Sequence, residues 1–373
     1  VPGYSLAKRC ELRRARPAGV RGRAAGGRGR AGRPASAVVV GALGRASTTE
    51  HASSVGPVTK IEVKRDPDEI DLPALTELFA AAGEADAHPA LGEHAWLDLV
   101  QGGREGFAGL VAWEQDHPHP VGYAQLSLGP YDGPDPTSLS WALEVVVDPH
   151  HRTPGNTVTE DLVRSAIELI ASEGGGHLHL WVNQPRPYHD RIAAEVGLSR
   201  GRALYQMRRK LPIKEHAHIT TRAFEMGRDD QAWLKLNNSA FAWHPEQGGW
   251  TDETLKARQA QPWFDPDGFL LYEEGAVLAG FCWTKIHQGG GTPVGEIYVV
   301  AVGPDFSGRG LGRQLVLAGL DYFSAKGIGE AMLYVDADNS RAVKLYVDLG
   351  FTVNHIDRAY TGDIAPASTH ISR

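Results

Sequence analysis

Residues 300–313 read Val300-Ala301-Val302-Gly303-Pro304-Asp305-Phe306-Ser307-Gly308-Arg309-Gly310-Leu311-Gly312-Arg313. A β-branched run meets a Gly-Pro turn, and a glycine-rich loop then opens a stretch whose apolar spacing predicts a helix over 311–326. Gly308, Gly310 and Gly312 let the backbone approach a ligand closely and turn successive N–H groups into one concavity. The helix N-terminus adds partial positive charge, so the loop suits a pyrophosphate, with Arg309 and Arg313 able to reach further phosphate oxygens. The run lacks the Gly-Lys-Ser/Thr ending of a nucleotide triphosphate loop.

Working outward, strands are predicted at 268–273, 277–285 and 296–302, the helix at 311–326, and a further strand at 331–336, all preceded by a helix at 229–240. The same order occurs earlier, as a helix at 71–82, strands at 107–113, 122–128 and 141–147, a helix at 158–172 and a strand at 177–182. Val147 with Val302, Pro149 with Pro304, Gly155 with Gly310 and His179 with Tyr334 share one offset of 155 residues. Duplication and fusion explain that register. The reading predicts a basic extension over 1–57, an N-terminal domain over 58–212, a linker over 213–218, a C-terminal domain over 219–365 and a tail over 366–373.

Beyond the loop lie Asp338-Asn339-Ser340-Arg341-Ala342-Val343-Lys344-Leu345-Tyr346 and Leu349-Gly350-Phe351. Here the chain resembles the GNAT acetyltransferase superfamily, whose acetyl-CoA loop reads Gln/Arg-x-x-Gly-x-Gly/Ala and whose later segment reads N-x-x-A-x-x-x-Y-x-x-x-G-F. Ser307 stands where Gln or Arg is usual. The resemblance implies an α/β (α+β) fold of two tandem GNAT domains, each a mixed, mostly antiparallel sheet flanked by helices. It implies acetyl-CoA as co-substrate, bound by Val300, Ala301 and Val302 as an added strand, by Ser307 to Arg313 including Leu311, and by Asn339 to Lys344. It also implies Glu296 as the base, direct or through water, and Tyr346 as the acid that protonates the departing sulfur.

The first half is a worn copy. Its loop is Arg152-Thr153-Pro154-Gly155-Asn156-Thr157, and Pro154 removes a donor. Val145, Val146, Val147, Arg152 and Gly155 remain as its expected cofactor contacts. At the shared offset Trp141 replaces Glu296, while Ala193 and Arg186 stand for Tyr346 and Asn339. Catalysis is therefore expected in the second half alone.

A finer resemblance rests on Asn237–Phe241, His244–Trp250, Trp263–Gly268, Trp283–His287 and Gly295–Val299 together with the worn first half. It points to tandem members of the superfamily that acetylate the cysteinyl amine of a cysteine–glucosamine–inositol conjugate. It implies Asp86, Glu246, Lys285, Glu296 and Tyr334 as substrate contacts. Another amine, such as an aminoglycoside or a protein N-terminus, and an acetyl-CoA-sensing module remain as competing readings.

Composition limits the remaining classes. The net charge of −7 combines a first 49 residues with eleven Lys or Arg and one acid, and a body with 27 basic and 44 acidic residues. That acidic body argues against nucleic acid as a partner. Three readings fit the Gly/Arg-rich start: a disordered extension or upstream translation, a transit peptide, or a basic nucleic-acid arm without aromatics. The two cysteines, Cys10 and Cys282, suit a reducing cytoplasm, no window predicts a membrane span, and a monomer is expected. His117/His119, His150-His151 and His177/His179 lack zinc spacing and read as ordinary surface, so no metal is expected.

Overall fold

The computed structural model describes residues 59–86, 88–103, 106–115, 117, 119–129, 139–242, 244, 247–288 and 291–367. The basic extension lies outside them, as does Glu246. The first half holds β1 (Thr59–Lys64), α1 (Leu72–Asp86), α2 (Glu93–Gln101), β2 (Ala108–Glu114), β3 (Gly122–Leu128) and β4 (Ser140–Val147). It continues with α3 (Val158–Ser172), β5 (Gly176–Val182), α4 (Pro187–Glu195) and β6 (Ser199–Lys210). The second half holds β7 (Arg222–Ala223), α5 (Asp230–Ala240), α6 (Asp252–Gln259), β8 (Phe269–Glu274), β9 (Val277–His287) and β10 (Val294–Val302). It ends with α7 (Leu311–Ala325), β11 (Glu330–Asp336), α8 (Ser340–Asp348) and β12 (Thr352–Ile364). No helix among the described residues is long and apolar enough to cross a membrane.

The strands form one twelve-stranded sheet in the order β1-β2-β3-β4-β5-β12-β6-β11-β10-β9-β8-β7. β4–β5 and β10–β11 pair parallel, and the other neighbours pair antiparallel. This is the expected mixed, mostly antiparallel architecture, with helices on both faces. The closing strands of the halves are exchanged. β6 ends the first half yet pairs with β11, from Glu330↔Lys210 to Asp336↔Leu204. β12 ends the second half yet pairs with β5, from Arg358↔Val182 to Ile364↔Gly176. Each half is thus completed by a strand of the other, and the edges that would otherwise attract foreign strands are covered.

Four apolar clusters hold the layers together. α3 packs Val158, Leu162, Ala166 and Ile170 against Leu110, Leu143 and Trp141, while α1 and α2 cover the other face with Leu75, Phe79 and Trp96. In the second half α7 and α8 lie on one face with Leu315, Leu320, Phe323 and Tyr346. The opposite face is aromatic, with Trp233 against Trp250, Phe269, Phe281 and Trp283 at centroid distances of 5.3–5.6 Å. Edge-to-face packing of this kind adds about 0.5–1.5 kcal/mol per pair beyond area burial.

The single offset of 155 residues does not survive the structure. The turns Pro149–His151 and Pro304–Phe306 keep it, but α3 and α7 begin 153 residues apart. The first-half loop, Arg152–Thr157, is two residues longer than Ser307–Gly310. Gly155 (φ 92°) therefore matches Gly308 (φ 80°), each three residues before its helix, and Thr157 matches Gly310. A second correction concerns Trp141. The β9–β10 register shifts between Ile297 and Val299, whereas β3–β4 runs unbroken. The bulge inverts the alternation by one residue, so Ala142, not Trp141, occupies the place of Glu296.

Trp141 instead matches Gly295. The indole packs toward α3, and a Cβ on Gly295 would stand 2.6 Å from Phe323 of α7. Gly295→Ala is expected to cost about 1–3 kcal/mol by overpacking. A denaturant midpoint equal to that of the unaltered protein would contradict this packing.

Candidate functional site

At the cofactor loop, Gly308 and Gly310 have φ of 80° and 78°, a left-handed backbone that favours glycine, and open space lies where a side chain would stand. Gly310 caps the N-terminus of α7, so the first-turn amides of Leu311 and Gly312 face the exposed loop. Arg313 is paired with Glu215 (2.9 and 2.5 Å) and Arg309 with Glu274 (3.1 Å). Exposed pairs of this kind are weak enough to exchange for phosphate. The β10–β11 pairing stops at Ile297↔Leu333, leaving Val299–Val302 without a partner on that side among the described residues. β4–β5 separates in the same way after Glu144↔Trp181, beside Val145–Val147. Each half therefore has the splayed strand edge that an extended amide-bearing chain can join.

The other residues expected to hold cofactor lie at the start of α8 and along it. Asn339 caps α8, its Oδ1 accepting from the Ala342 amide at 3.1 Å. Ser340, Arg341, Val343 and Lys344 lie on α8 itself, where Lys344 also pairs with Asp348 at 2.9 Å. Tyr346 is buried among the α7 and α8 side chains near Phe351, and its hydroxyl bonds no described residue. Burial, with the nearby Cys282, pushes its pKa above the usual tyrosine value and keeps the phenol protonated.

A cavity of about 1140 Å³ lies between the halves and is lined from both. It gathers Asp86, Lys285, Glu296 and Tyr334 as the finer resemblance implied, together with Val145–Val147 and Arg152 of the first half. Glu296 thus faces this cavity while Tyr346 lies on the α7/α8 face, and the parting of β10 from β11 opens the sheet between them. Asp86 is held by Arg152 at 2.6 Å, and Arg152 also donates to the Val147 carbonyl at 2.9 Å. Arg152, expected among the first half's cofactor contacts, thus ties Asp86 to the end of β4 at the cavity wall.

Lys285 lies within 3.4 Å of Glu93 at the start of α2 and 4.4 Å above the Trp263 ring. Tyr334 accepts from Gln206 at 2.9 Å and meets His88 Nε2 at 3.2 Å. Burial and the charge of Glu296 raise its pKa. Glu296 is 8% exposed, with Oε2 2.6 Å from His287 Nε2. Burial pushes its pKa up. The His287 hydrogen bond, with the charges of His287, Lys285 and His88, outweighs burial and holds it below the ordinary glutamate value.

Sequence reasoning missed four contributors. His287 follows Lys285 by two residues on one strand face, a period-two signal that was available. His88, Glu93 and Arg258 carried no signal, because their partners are remote in sequence. Arg258, 3% exposed, donates to Tyr298 at 2.9 Å and lies 4.1 Å over Trp250. The surface reading of His179 is corrected, since it lines the cavity. Among the described residues, His88, His355 and Asp357 bring ligand atoms within 4.8 Å of one another. His88 is already engaged by the Pro89 carbonyl at 2.6 Å, and Asp357 lies 3.4 Å from His355 and accepts from the Gln184 amide.

Comparison with known proteins adds the following. Residues 233–351 match the acetyltransferase (GNAT) family. A mycothiol acetyltransferase of Thermobispora bispora is 42% identical over 309 residues, covering 81% of this chain and 98% of that protein. One from Nocardia farcinica is 40% identical over 299 residues, covering 78% and 93%. Among solved structures, a GCN5-related N-acetyltransferase from Sphaerobacter thermophilus aligns with a TM-score of 0.56 at 22% identity, covering 83% of this chain and 97% of that one. A tandem GNAT protein from the clavulanic acid biosynthesis pathway aligns at 0.58 and 16% identity, covering 83% and 100%. These two likenesses concern the fold.

Proposed function

This chain belongs to the mycothiol acetyltransferase family, a group of GNAT N-acetyltransferases, and from that premise we propose that it acetylates the cysteinyl amine of cysteinyl-glucosaminyl-inositol with acetyl-CoA, giving mycothiol and CoA. The observation that carries the reading is Glu296, a buried carboxylate facing a cavity rich in carboxylates and hydrogen-bonding groups between the halves. A substrate with one ammonium and many hydroxyls suits such walls.

The fit of acetyl-CoA is supported by the open φ-positive glycines, the start of α7 and the unpaired edge of Val299–Val302. The backbone of 299–302 would align the pantetheine arm, and Gly308–Gly312 would hold the pyrophosphate. In the reaction the ammonium loses a proton on the Glu296 side, and the amine nitrogen attacks the thioester carbonyl. The C–N bond forms, the nitrogen gives up a second proton to solvent as the C–S bond breaks, and the departing thiolate takes the phenolic proton of Tyr346. A phenol kept protonated by burial is a suitable donor, and a fixed carboxylate is a suitable anchor for the ammonium. Asp86, Lys285, Tyr334 and Glu246 would contact the sugar and inositol, and residues 58–212 would act as a worn copy that supplies one wall.

The test is CoA release by the purified protein with cysteinyl-glucosaminyl-inositol, an aminoglycoside and a peptide N-terminus as separate acceptors. The expected result is turnover with the first at a kcat/KM at least about 10²-fold above the others. Preference for another acceptor would overturn the substrate, and acetyl-CoA binding without turnover on any would favour a sensing module.

A further inference from the structure

We propose that His287 is a proton-handling residue of this site: Glu296 holds its Nε2–H, and its Nδ1 takes the proton given up by the substrate ammonium. The inference rests on the acetyl-transfer reading and assigns the proton within it.

His287 closes β9 and lies diagonally across from Glu296, whose direct cross-strand partner is Lys285. A carboxylate only accepts, so the 2.6 Å contact places the imidazole hydrogen on Nε2 and leaves the lone pair on Nδ1. Nδ1 makes no hydrogen bond to a described residue and is not among the sealed polar atoms. The His287 side chain is 25% exposed against 10% for Glu296, and both line the cavity. The imidazole is therefore the more accessible member of the pair.

Chemistry favours the same assignment. A carboxylate held below the ordinary glutamate value by its neighbours is a weak proton acceptor, whereas an imidazole with a free ring nitrogen is suited to take up and give back a proton. A buried carboxylate behind an imidazole orients the ring and stabilises the imidazolium that forms. The neighbouring groups are already engaged. Lys285 on the same strand is held by Glu93, and Tyr298 on β10 is bonded to Arg258. Tyr334 on β11 is bonded to Gln206 and His88.

The step balances without a further reagent. The ammonium proton moves to Nδ1, giving an imidazolium whose Nε2–H still points to Glu296. The neutral amine attacks, its second proton passes from nitrogen to solvent as the C–S bond breaks, CoA thiolate leaves with the Tyr346 proton, and the imidazolium proton returns through solvent to the phenolate, so each turnover releases one proton.

The experiment measures kcat, KM and their pH dependence for the full chain, His287→Gln, Glu296→Gln and the double variant, with acetyl-CoA and cysteinyl-glucosaminyl-inositol. His287→Gln keeps a donor for Glu296 but cannot take a proton. Its kcat is expected to fall at least about 10²-fold with KM nearly unchanged, and the acid limb of the rate profile should disappear. Added imidazole should partly restore His287→Ala, and the double variant should be no slower than the slower single one. Retention of kcat and the acid limb in His287→Gln, or losses that multiply in the double variant, would overturn the assignment. Melting and acetyl-CoA calorimetry separate this from misfolding. An unaltered protein inert toward every acceptor would sink the acetyl-transfer reading instead, which a normal parent beside an undiminished His287→Gln would leave standing.

Discussion

Replacing Glu296 by glutamine is expected to lower kcat by about 10²–10⁴-fold, equivalent to about 3–5 kcal/mol of transition-state stabilisation, while acetyl-CoA affinity changes little. The substitution keeps volume and one acceptor, so the cavity wall is retained and charge is removed. Loss of charge acts twice. On the proposed reading the substrate ammonium loses a buried counter-charge, and His287 loses the carboxylate 2.6 Å from its Nε2. The cofactor loop lies beyond the end of β10 and should not sense the change. A fall in kcat/KM for the amine with unchanged calorimetric acetyl-CoA binding is the expected pattern. Turnover equal to the parent, with chemistry shown to limit the rate, would remove Glu296 from the reaction.

Six elements in each half could be read because each has a strong period, whereas β1, α2, α4, β6, β7, α6, α8 and β12 were not read. α3 (Val158–Ser172) repeats apolar residues at helical spacing, and β3 and β4 alternate or run β-branched into clear turn signals. The glycine loop was legible because it needs particular residue types. The exchange of β6 and β12 was not, since alternation tells a strand which face is buried but not which neighbour it meets. The bulge at Tyr298 was equally hidden. One inserted residue leaves composition and period almost unchanged, yet it moved the counterpart of Glu296 from Trp141 to Ala142. The cavity was the least legible part, because it is built from contacts such as His88 with Tyr334, separated by 246 residues. Lys285 and His287 show the limit from the other side: the strand placed them together, but only the fold brought Glu296 of β10 against them at the cavity wall.

The corrected register also selects the pair of variants that best separates the halves. Gly308 and Gly155 occupy matching places, with φ of 80° and 92°, and in each case nothing lies within 4 Å of an added Cβ. Aspartate tolerates this backbone better than most residues, so Gly308→Asp and Gly155→Asp should carry similar and modest stability costs of about 1–2 kcal/mol. Their effects on acetyl transfer should differ greatly. A carboxylate about 5 Å from a phosphate charge, at an effective dielectric of about 20, costs about 3 kcal/mol. Gly308→Asp is therefore expected to lower kcat/KM for acetyl-CoA at least about 10²-fold. Gly155→Asp carries the same carboxylate to a loop whose half offers Ala142 and Ala193 where Glu296 and Tyr346 stand. It can abolish a bound CoA there while turnover remains within about 3-fold of the parent. Steady-state kinetics beside calorimetric stoichiometry decide the matter. Equal loss of turnover in both variants, with matched melting temperatures, would mean that the first half takes part in the chemistry, and that a half without the carboxylate and phenol still delivers something the reaction needs.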